Sequence, residues 1–406
     1  MVIKMKFIER KYSAEYSISL INKYAESKSW HFELSSLGKS NTTSKCIIKN
    51  NKSDILSVGY GKGLGKTSEV GSIYESVEHY FSSFEQISEN INYLKTDFLE
   101  FNDTIKNTPY YCEIVRQKGK TLGCLPYKRI FSEEINYVPV FLSFVDYTNK
   151  NHLHDNLDYK KLLKFGTNSG ISIANSYEEA CIHSISELIE RDALSIFLAN
   201  HFLGDKKFGK IINLDSLPDE LKNIVDIILS KSALKNIILI DITTNIDVPS
   251  FCAVSEDYLY AENPPPIGSG TSISPIYAAY RALCELLQYH EVRLTSHLVS
   301  KAEKSALLAV GNYRKFVDCV NFNVDEIIMP KINWNYPDVF IDTNSILEKL
   351  YSKIDAVGGK VFCYEIHSEP SLFSVVSCHC PILDRFNLVR MGAVMLPGQR
   401  AMSYMK

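Results

Sequence analysis

The stretch NSGISIANSYEEACIHSISELIERDALSIF, residues 168–197, opens as a turn and continues as a long helix. Ser176 and Glu179 have the S-x-x-E spacing of a capping box, which satisfies two of the backbone groups orphaned at a helix start. The helix is therefore expected from Ser176 to about Asn200. Ile182, Ile185, Ile189 and Ile196 recur at helical spacing as an apolar stripe. Glu187 and Glu190, three residues apart, share a face well away from that stripe. Alone, such a pair describes a solvated surface.

Two further stretches repeat the pattern. A helix expected from about Ser68 to Asn92 carries Glu75 and Glu78. Another, from Pro275 to about His297, carries Glu285 and Gln288. Like charges at this spacing repel by only tenths of a kcal/mol on an exposed helix. Gathered in one cavity they would repel far more, unless a cation sat between them. A hard divalent ion suits such a place: Mg2+ takes oxygen ligands and is commonly held by one or two carboxylates together with substrate phosphates. The sequence thus offers a nucleotide site built from acidic side chains.

The glycine-rich segment SVGYGKGLGKTSEVGSIYESVEHYF, residues 57–81, is not a P-loop. That motif needs glycine five residues before Gly65, and position 60 is Tyr60. The segment reads instead as a strand-to-helix turn, with Lys62 placed close to a phosphate.

Bulk properties narrow the choices. The chain has 406 residues, 45% hydrophobic and 22% charged, with a net charge of -3. That balance gives no electrostatic reason to expect nucleic acid. No apolar run is long enough for a membrane span, and the N-terminus lacks a signal-peptide stretch, so a cytoplasmic protein is expected. Ten cysteines without a CxxC pair fit a reducing compartment. Cys378 and Cys380 flank His379 in an apolar run and read as core thiols rather than metal ligands. Strands are expected at 137–148, 236–244, 248–257 and 360–380, and a loop at 262–275. Residues 1 to about 50 are polar and weakly patterned. The mixed order of strands and helices indicates an α+β or α/β fold.

Taken together, GKGLGKTSEVGSIYESVEHYF, the 168–197 motif and GSGTSISPIYAAYRALCELLQ (268–288) resemble the YcaO superfamily, ATP-dependent enzymes that activate backbone amides of peptides. The resemblance runs from about residue 55 to about residue 385, and the second motif is its most specific part. It implies an α+β fold of the YcaO type, with mixed sheets packed against helices and an ATP site lined by carboxylates from three helices. Residues 1–50 would be an N-terminal extension and residues 51–406 the ATP-binding catalytic domain. Glu75, Glu78, Glu187 and Glu190 would bind Mg2+. Lys62, Ser172, Asn175, Glu179, Arg191, Glu285 and Gln288 would contact the nucleotide. The cofactors would be ATP and Mg2+, and the substrate a ribosomally made precursor peptide in antibiotic-type biosynthesis. Its Cys, Ser or Thr residues would be cyclodehydrated to thiazole- or oxazole-type rings. A sulfide donor would give a thioamide and an amine an amidine; a non-catalytic accessory subunit is the alternative of another class, and a folded protein is an alternative substrate. A separate leader-recognition partner and a homodimer are expected. His79, His183 and His290 read as structural, and the general base is not identified.

The chain departs from the family pattern at Gly71, where Ser is usual, at His79, where Arg is usual, and in having NSG for SNG at 168–170. Its C-terminus, VMLPGQRAMSYMK, has Pro397 alone in place of a proline-rich tail. That departure weighs against azoline formation unless another group does the tail's work; it leaves ATP binding untouched.

Overall fold

The computed structural model describes residues 9–99, 105–106, 108–150, 152–204, 208–255, 264–295, 297–322, 329–337, 339 and 342–405. The weakly patterned N-terminal region is regular within them. Ser13 caps α1 (Ala14–Ser27) by accepting from Tyr16 N, and an antiparallel meander follows: β1 (His31–Leu37), β2 (Thr43–Lys49) and β3 (Ile55–Lys62). β1 is an edge strand with most side chains exposed, so it lacks the alternation that announces a half-buried strand. The boundary expected after residue 50 passes between the paired strands β2 and β3.

The next helix, α2, covers Lys66–Phe81 and does not continue to Asn92. Ser82 is its C-cap, with its N–H on Glu78 O and its hydroxyl on His79 O. A short α3 (Phe84–Ile87), β4 (Asn92–Lys95), α4 (Thr96–Leu99) and α5 (Tyr111–Val115) follow. The second sheet has the order β4-β5-β13-β14-β7, with β6 also on β5. Its strands are β5 (Thr121–Arg129), β6 (Ile135–Pro139), β7 (Ile171–Ala174) and the late hairpin β13 (Phe362–Glu369) and β14 (Phe373–His379). The strand expected over 137–148 ends at Pro139 and gives way to 3-10 turns. Val140, Phe141 and Leu142 are all buried, and a continuous apolar run does not distinguish a strand from a buried turn.

Helix α6 (Tyr177–Leu198) packs on β14 and β7 with Ser176 as its N-cap, and is buried almost all round. Beyond it β8 (Lys210–Ile212), α7 (Asp219–Lys231), β9 (Ile237–Asp241), β10 (Ser250–Ser255), β11 (Ile267–Thr271) and α8 (Pro275–Thr295) build the third sheet, in order β11-β10-β9-β8-β12. α9 (His297–Val310), α10 (Arg314–Asn321), β12 (Lys331–Ile332), α11 (Thr343–Ala356) and α12 (Gln399–Met405) complete the chain. The loop expected at 262–275 contains β11, a correction; its positions 262–263, like 256–257 of the expected strand before it, lie outside the described residues.

The glycines that suggested a loop serve a close approach. A Cβ on Gly268 or Gly270 would collide with backbone atoms of α8 at Ala278, Ala282 and Leu286, and one on Gly59 or Gly61 with backbone of α2 at Ser68, Ser72 and Ser76. The two units share an order, helix, three-stranded meander, helix: α1-β1-β2-β3-α2 and α7-β9-β10-β11-α8. In both, a G-x-G edge strand lies directly against the helix that follows it. Gly61→Ala and Gly270→Ala are each expected to cost about 1–3 kcal/mol, because backbone rather than a movable side chain meets the new methyl. Chemical denaturation would measure this; a loss within error would refute the close-packing argument.

Candidate active site

Three strands, β3, β7 and β11, form the inner edges of their sheets, and each precedes a helix bearing one of the pairs. Glu75 Oε2 on α2 accepts from Tyr60 N of β3 at 3.2 Å, and Glu187 Oε2 on α6 accepts from Gly170 N, beside β7, at 3.1 Å. The second member of each pair crosses to the next strand. Glu78 accepts from Ile173 N of β7. Glu190 Oε1 accepts from Ser269 Oγ of β11 at 2.8 Å, and Gln288 Nε2 donates to Tyr60 O of β3 at 3.0 Å. Glu285 pairs with Lys62. The three helices thus close a ring, and their paired residues line its centre instead of a solvated face.

Arg191 lies 3.4 Å from both Glu187 and Glu190. Arg281 also acts electrostatically on these two carboxylates. Sequence reasoning missed Arg281, although it stands four residues before Glu285 on the same helix face. Five carboxyl groups face three cations, Lys62, Arg191 and Arg281, an excess of two acidic groups. Burial raises the carboxyls of Glu75 and Glu187 above the usual range. Burial, with Glu75 and Glu187 nearby, holds Glu78 well above it. Glu190 is also buried, but Arg191, Arg281 and Lys62 outweigh desolvation and keep it low, hence ionised. Glu190 Oε2 and Arg281 Nε are buried without a hydrogen-bond partner among the described residues. An unpaired carboxylate oxygen beside an acidic surplus suits a divalent cation, and an unpaired guanidinium nitrogen suits a phosphate oxygen.

Ser172, Asn175 and Glu179 lie apart from this cluster. Ser172 Oγ donates to Ala180 O. Asn175 accepts from Ser17 Oγ and donates to Tyr74 Oη and Leu372 O, tying α1 and α2 to the hairpin. Glu179 N donates to Ser176 Oγ, one half of the expected capping box, while its carboxylate pairs with Arg10 at 3.0 Å and accepts from Lys11 N. Around it lies a second polar chamber with Glu9, Ser272, His183 and Arg281, so Arg281 joins the two. Glu9 and Arg10 carried no sequence signal. His79 bonds Val58 O at 2.7 Å, as a structural histidine does. Burial, helped by Arg10 and Arg281, holds His183 well below the usual imidazole range.

These features describe a class of site, helix-borne carboxylates beside guanidinium groups, whose donor chemistry would suit a divalent cation and phosphate without a phosphate loop. The family model YcaO cyclodehydratase, ATP- and Mg2+-binding, matches residues 60–384, and the chain belongs to this family. The structure of YcaO from Methanopyrus kandleri bound with AMPPCP and Mg2+ is similar over 97% of this chain and 98% of that one, at a TM-score of 0.68 and 16% identity. A heterocyclase in complex with substrate and cofactor is similar over 94% of this chain and 54% of that one, at a TM-score of 0.67 and 14% identity. The E. coli microcin synthetase McbBCD complex is similar over 87% and 88%, at a TM-score of 0.54 and 15% identity. An uncharacterized protein of Methanothermobacter thermautotrophicus is 32% identical over 132 residues, so the matched part spans only 32% of that relative. Among the described residues no helix is long and apolar enough to cross a membrane.

Raised carboxyls must lose protons before they hold a cation. Mg2+ with a non-hydrolysable ATP analogue should therefore bind with net proton release, and more tightly as pH rises through the raised values. Calorimetry in buffers of different ionisation enthalpy reads this directly; binding without proton release would sink it. In the unliganded chain the same groups stabilise only while protonated, a contribution lost as pH rises through their folded values. Glu78→Gln should raise the unliganded melting temperature above neutral pH by about 1–2 °C, since ~1 kcal/mol is worth only a few degrees in a long chain, while reducing the proton release.

Proposed function

We propose that the chain is an ATP- and Mg2+-dependent enzyme that modifies a ribosomally synthesised precursor peptide by phosphorylating a backbone amide oxygen, with cyclodehydration of Cys, Ser or Thr to azolines as the principal reaction. The observation that carries this reading is the convergence of Glu75, Glu78, Glu187, Glu190 and Glu285 with Arg191 and Arg281 around unpaired polar atoms. The M. kandleri protein of like fold, bound with AMPPCP and Mg2+, supports it. Bound ATP with Mg2+ would supply the phosphoryl group that converts a carbonyl oxygen into a leaving group.

The chain's own residues supply position and charge, which carry most of phosphoryl transfer. Glu75, Glu78, Glu187 and Glu190 hold the cation, each fixed through one oxygen by a strand. Glu285 fixes Lys62, and Gln288 fixes the β3 edge. Arg191 and Arg281 take phosphate oxygens. Glu179, Asn175 and Ser172 would meet the nucleotide only by sharing the bonds they make to Arg10, Ser17, Tyr74 and Ala180. A separate leader-recognition protein delivers the peptide, as the assembly of the microcin synthetase complex suggests, and the chain works as a homodimer in the cytoplasm.

A second reading, in which an external sulfide or amine adds to the carbonyl and yields a thioamide or amidine, is favoured by one observation. The segment around Pro397 leads into α12, which docks through a bidentate pair of Arg400 with buried Asp192 at 2.9 Å rather than lying in the cleft.

Phosphate release from ATP and Mg2+ by the purified chain, alone and with candidate peptides and partner proteins from its genomic neighbourhood, tests both readings. Peptide-dependent release that falls to background in Glu187→Ala and Glu190→Ala is expected. Product mass separates the chemistries: loss of one water marks an azoline, and sulfur replacing oxygen marks a thioamide. Nucleotide bound without turnover under every mixture would instead make the chain an accessory subunit.

A further inference from the structure

Outside the cleft, chemistry-bearing side chains also gather beneath α6. Cys181 of α6, Cys363 of β13 and Cys378 of β14 are buried together. Cys363 and Cys378 are register partners across the hairpin, and Cys181 Sγ lies 3.7 Å from Cys363 Sγ. All three sulfurs fall within 4.8 Å of one another. Three sulfurs bound to one ion at about 2.3 Å stand roughly 4 Å apart, so the fold already holds them near ligand spacing. The three residues come from three packed elements, which fixes the spacing without a ligand. Cys378 and Cys380 are both buried in the apolar core, as expected for the C-H-C motif. Cys378 joins two distant thiols in a group with metal-ligand spacing, whereas Cys380 lies outside that group.

The donor set selects the ion. Among the described residues no carboxylate or imidazole belongs to the group, and Ile182, Ile185, Leu347 and Val376 lie in the same apolar cluster. Mg2+ prefers oxygen and has no ligand here. Structural zinc takes four ligands, and the group offers three. Soft thiolates select Cu(I), which is satisfied by three. The Tyr177 hydroxyl bonds Cys363 and offsets part of the negative charge.

We propose that Cys181, Cys363 and Cys378 form a binding site for a single Cu(I) ion, separate from the nucleotide cleft. The site is mechanically linked to the cleft. Ser184, one turn after Cys181, donates to Gly170 O and accepts from Cys378 N at 3.1 Å, and Gly170 N holds Glu187. A bound ion fastens α6 to the hairpin directly beneath that carboxylate, and a ligand that binds only the folded chain raises its melting temperature.

The test is anaerobic titration of the reduced full-length chain with Cu(I) against a chromophoric Cu(I) chelator, with thermal melting in parallel. One equivalent should be withheld from the chelator and the melting temperature should rise. Cys181→Ser, Cys363→Ser and Cys378→Ser should each reduce retention to non-specific levels, whereas Cys124→Ser and Cys252→Ser should not. Because a buried serine can compromise folding, the unaltered chain gives a second readout. Cu(I) should shield these three cysteines, mapped by peptide mass spectrometry, from alkylation during slow unfolding. Glu190→Ala should still take up the ion, so failure of the nucleotide reading would leave this result standing. Absence of uptake, protection falling on other cysteines, equal preference for Zn(II), or a Cys181–Cys363 disulfide without metal uptake would each overturn the proposal.

Discussion

Carboxylates drawn together inside a protein repel one another, and the fold opposes that repulsion with the one resource a sheet edge has in surplus, unpaired backbone groups. Tyr60 N, Gly170 N and Ile173 N lie on or beside the inner edges of two sheets and donate to Glu75, Glu187 and Glu78. Each bond does two things. It satisfies an amide that would otherwise be an exposed pairing site, and it leaves the second carboxylate oxygen aimed inward. Glu75 and Glu187 hold the strands before their own helices, while Glu190, Glu285 and Gln288 reach the strand of the next unit, so the three sheets are linked through the residues that would bind the ligand. The site is consequently the keystone of the architecture and not a cleft added to a finished core.

Two of the three units are copies of one plan, with a register that can be followed along the chain. Gly59 and Gly61 correspond to Gly268 and Gly270, since each pair faces its helix with the same two-residue step. The helix backbone they meet corresponds equally: Ser68, Ser72 and Ser76 against Ala278, Ala282 and Leu286. That alignment places Glu75 on Glu285, Glu78 on Gln288 and Gly71 on Arg281. One half thus supplies two carboxylates and a glycine, and the other a carboxylate, an amide and an arginine. The two units share a plan and differ in the side chains they bring to the ring. Gly71 packs against Gly61, where an added Cβ would lie 3.2 Å from the Gly61 Cα.

Much of this is legible in the amino-acid sequence. The starts of α6 and α8 follow from a capping box and a proline, and the acidic pairs stand at helical spacing on three segments. What stays hidden has physical causes. α2 stops eleven residues short of the expected Asn92, where the chain turns at Ser82 and Ser83 into the short α3, a break that periodicity does not register. β11 is masked by the glycines that let it approach α8. The meander of β1 and β2 is hidden by its solvated edge. Arg281 carries a readable signal as a face-mate of Glu285, whereas Glu9 and Arg10 reach their chamber only through tertiary packing. Ser172, Asn175 and Glu179 show the opposite limit. The motif marks their positions, yet their side chains are engaged in holding α6 to α1, α2 and the hairpin, and a nucleotide contact would have to share those bonds.

The specificity of the ELIERD string follows from the burial of α6 on every side. An amphipathic surface helix constrains one face and leaves the other free; here successive residues answer to different neighbours. Glu187 holds the β7 edge and Glu190 holds Ser269, with Leu188 and Ile189 in the core between them. Arg191 faces the carboxylates, while Asp192, fully buried on the far side, receives two parallel bonds from Arg400 of α12. An unpaired charge at Asp192 would cost several kcal/mol, so the C-terminal helix is held by the residue that follows Arg191. The segment carrying Pro397 and the stretch of α6 that bears Arg191 are therefore mechanically one piece.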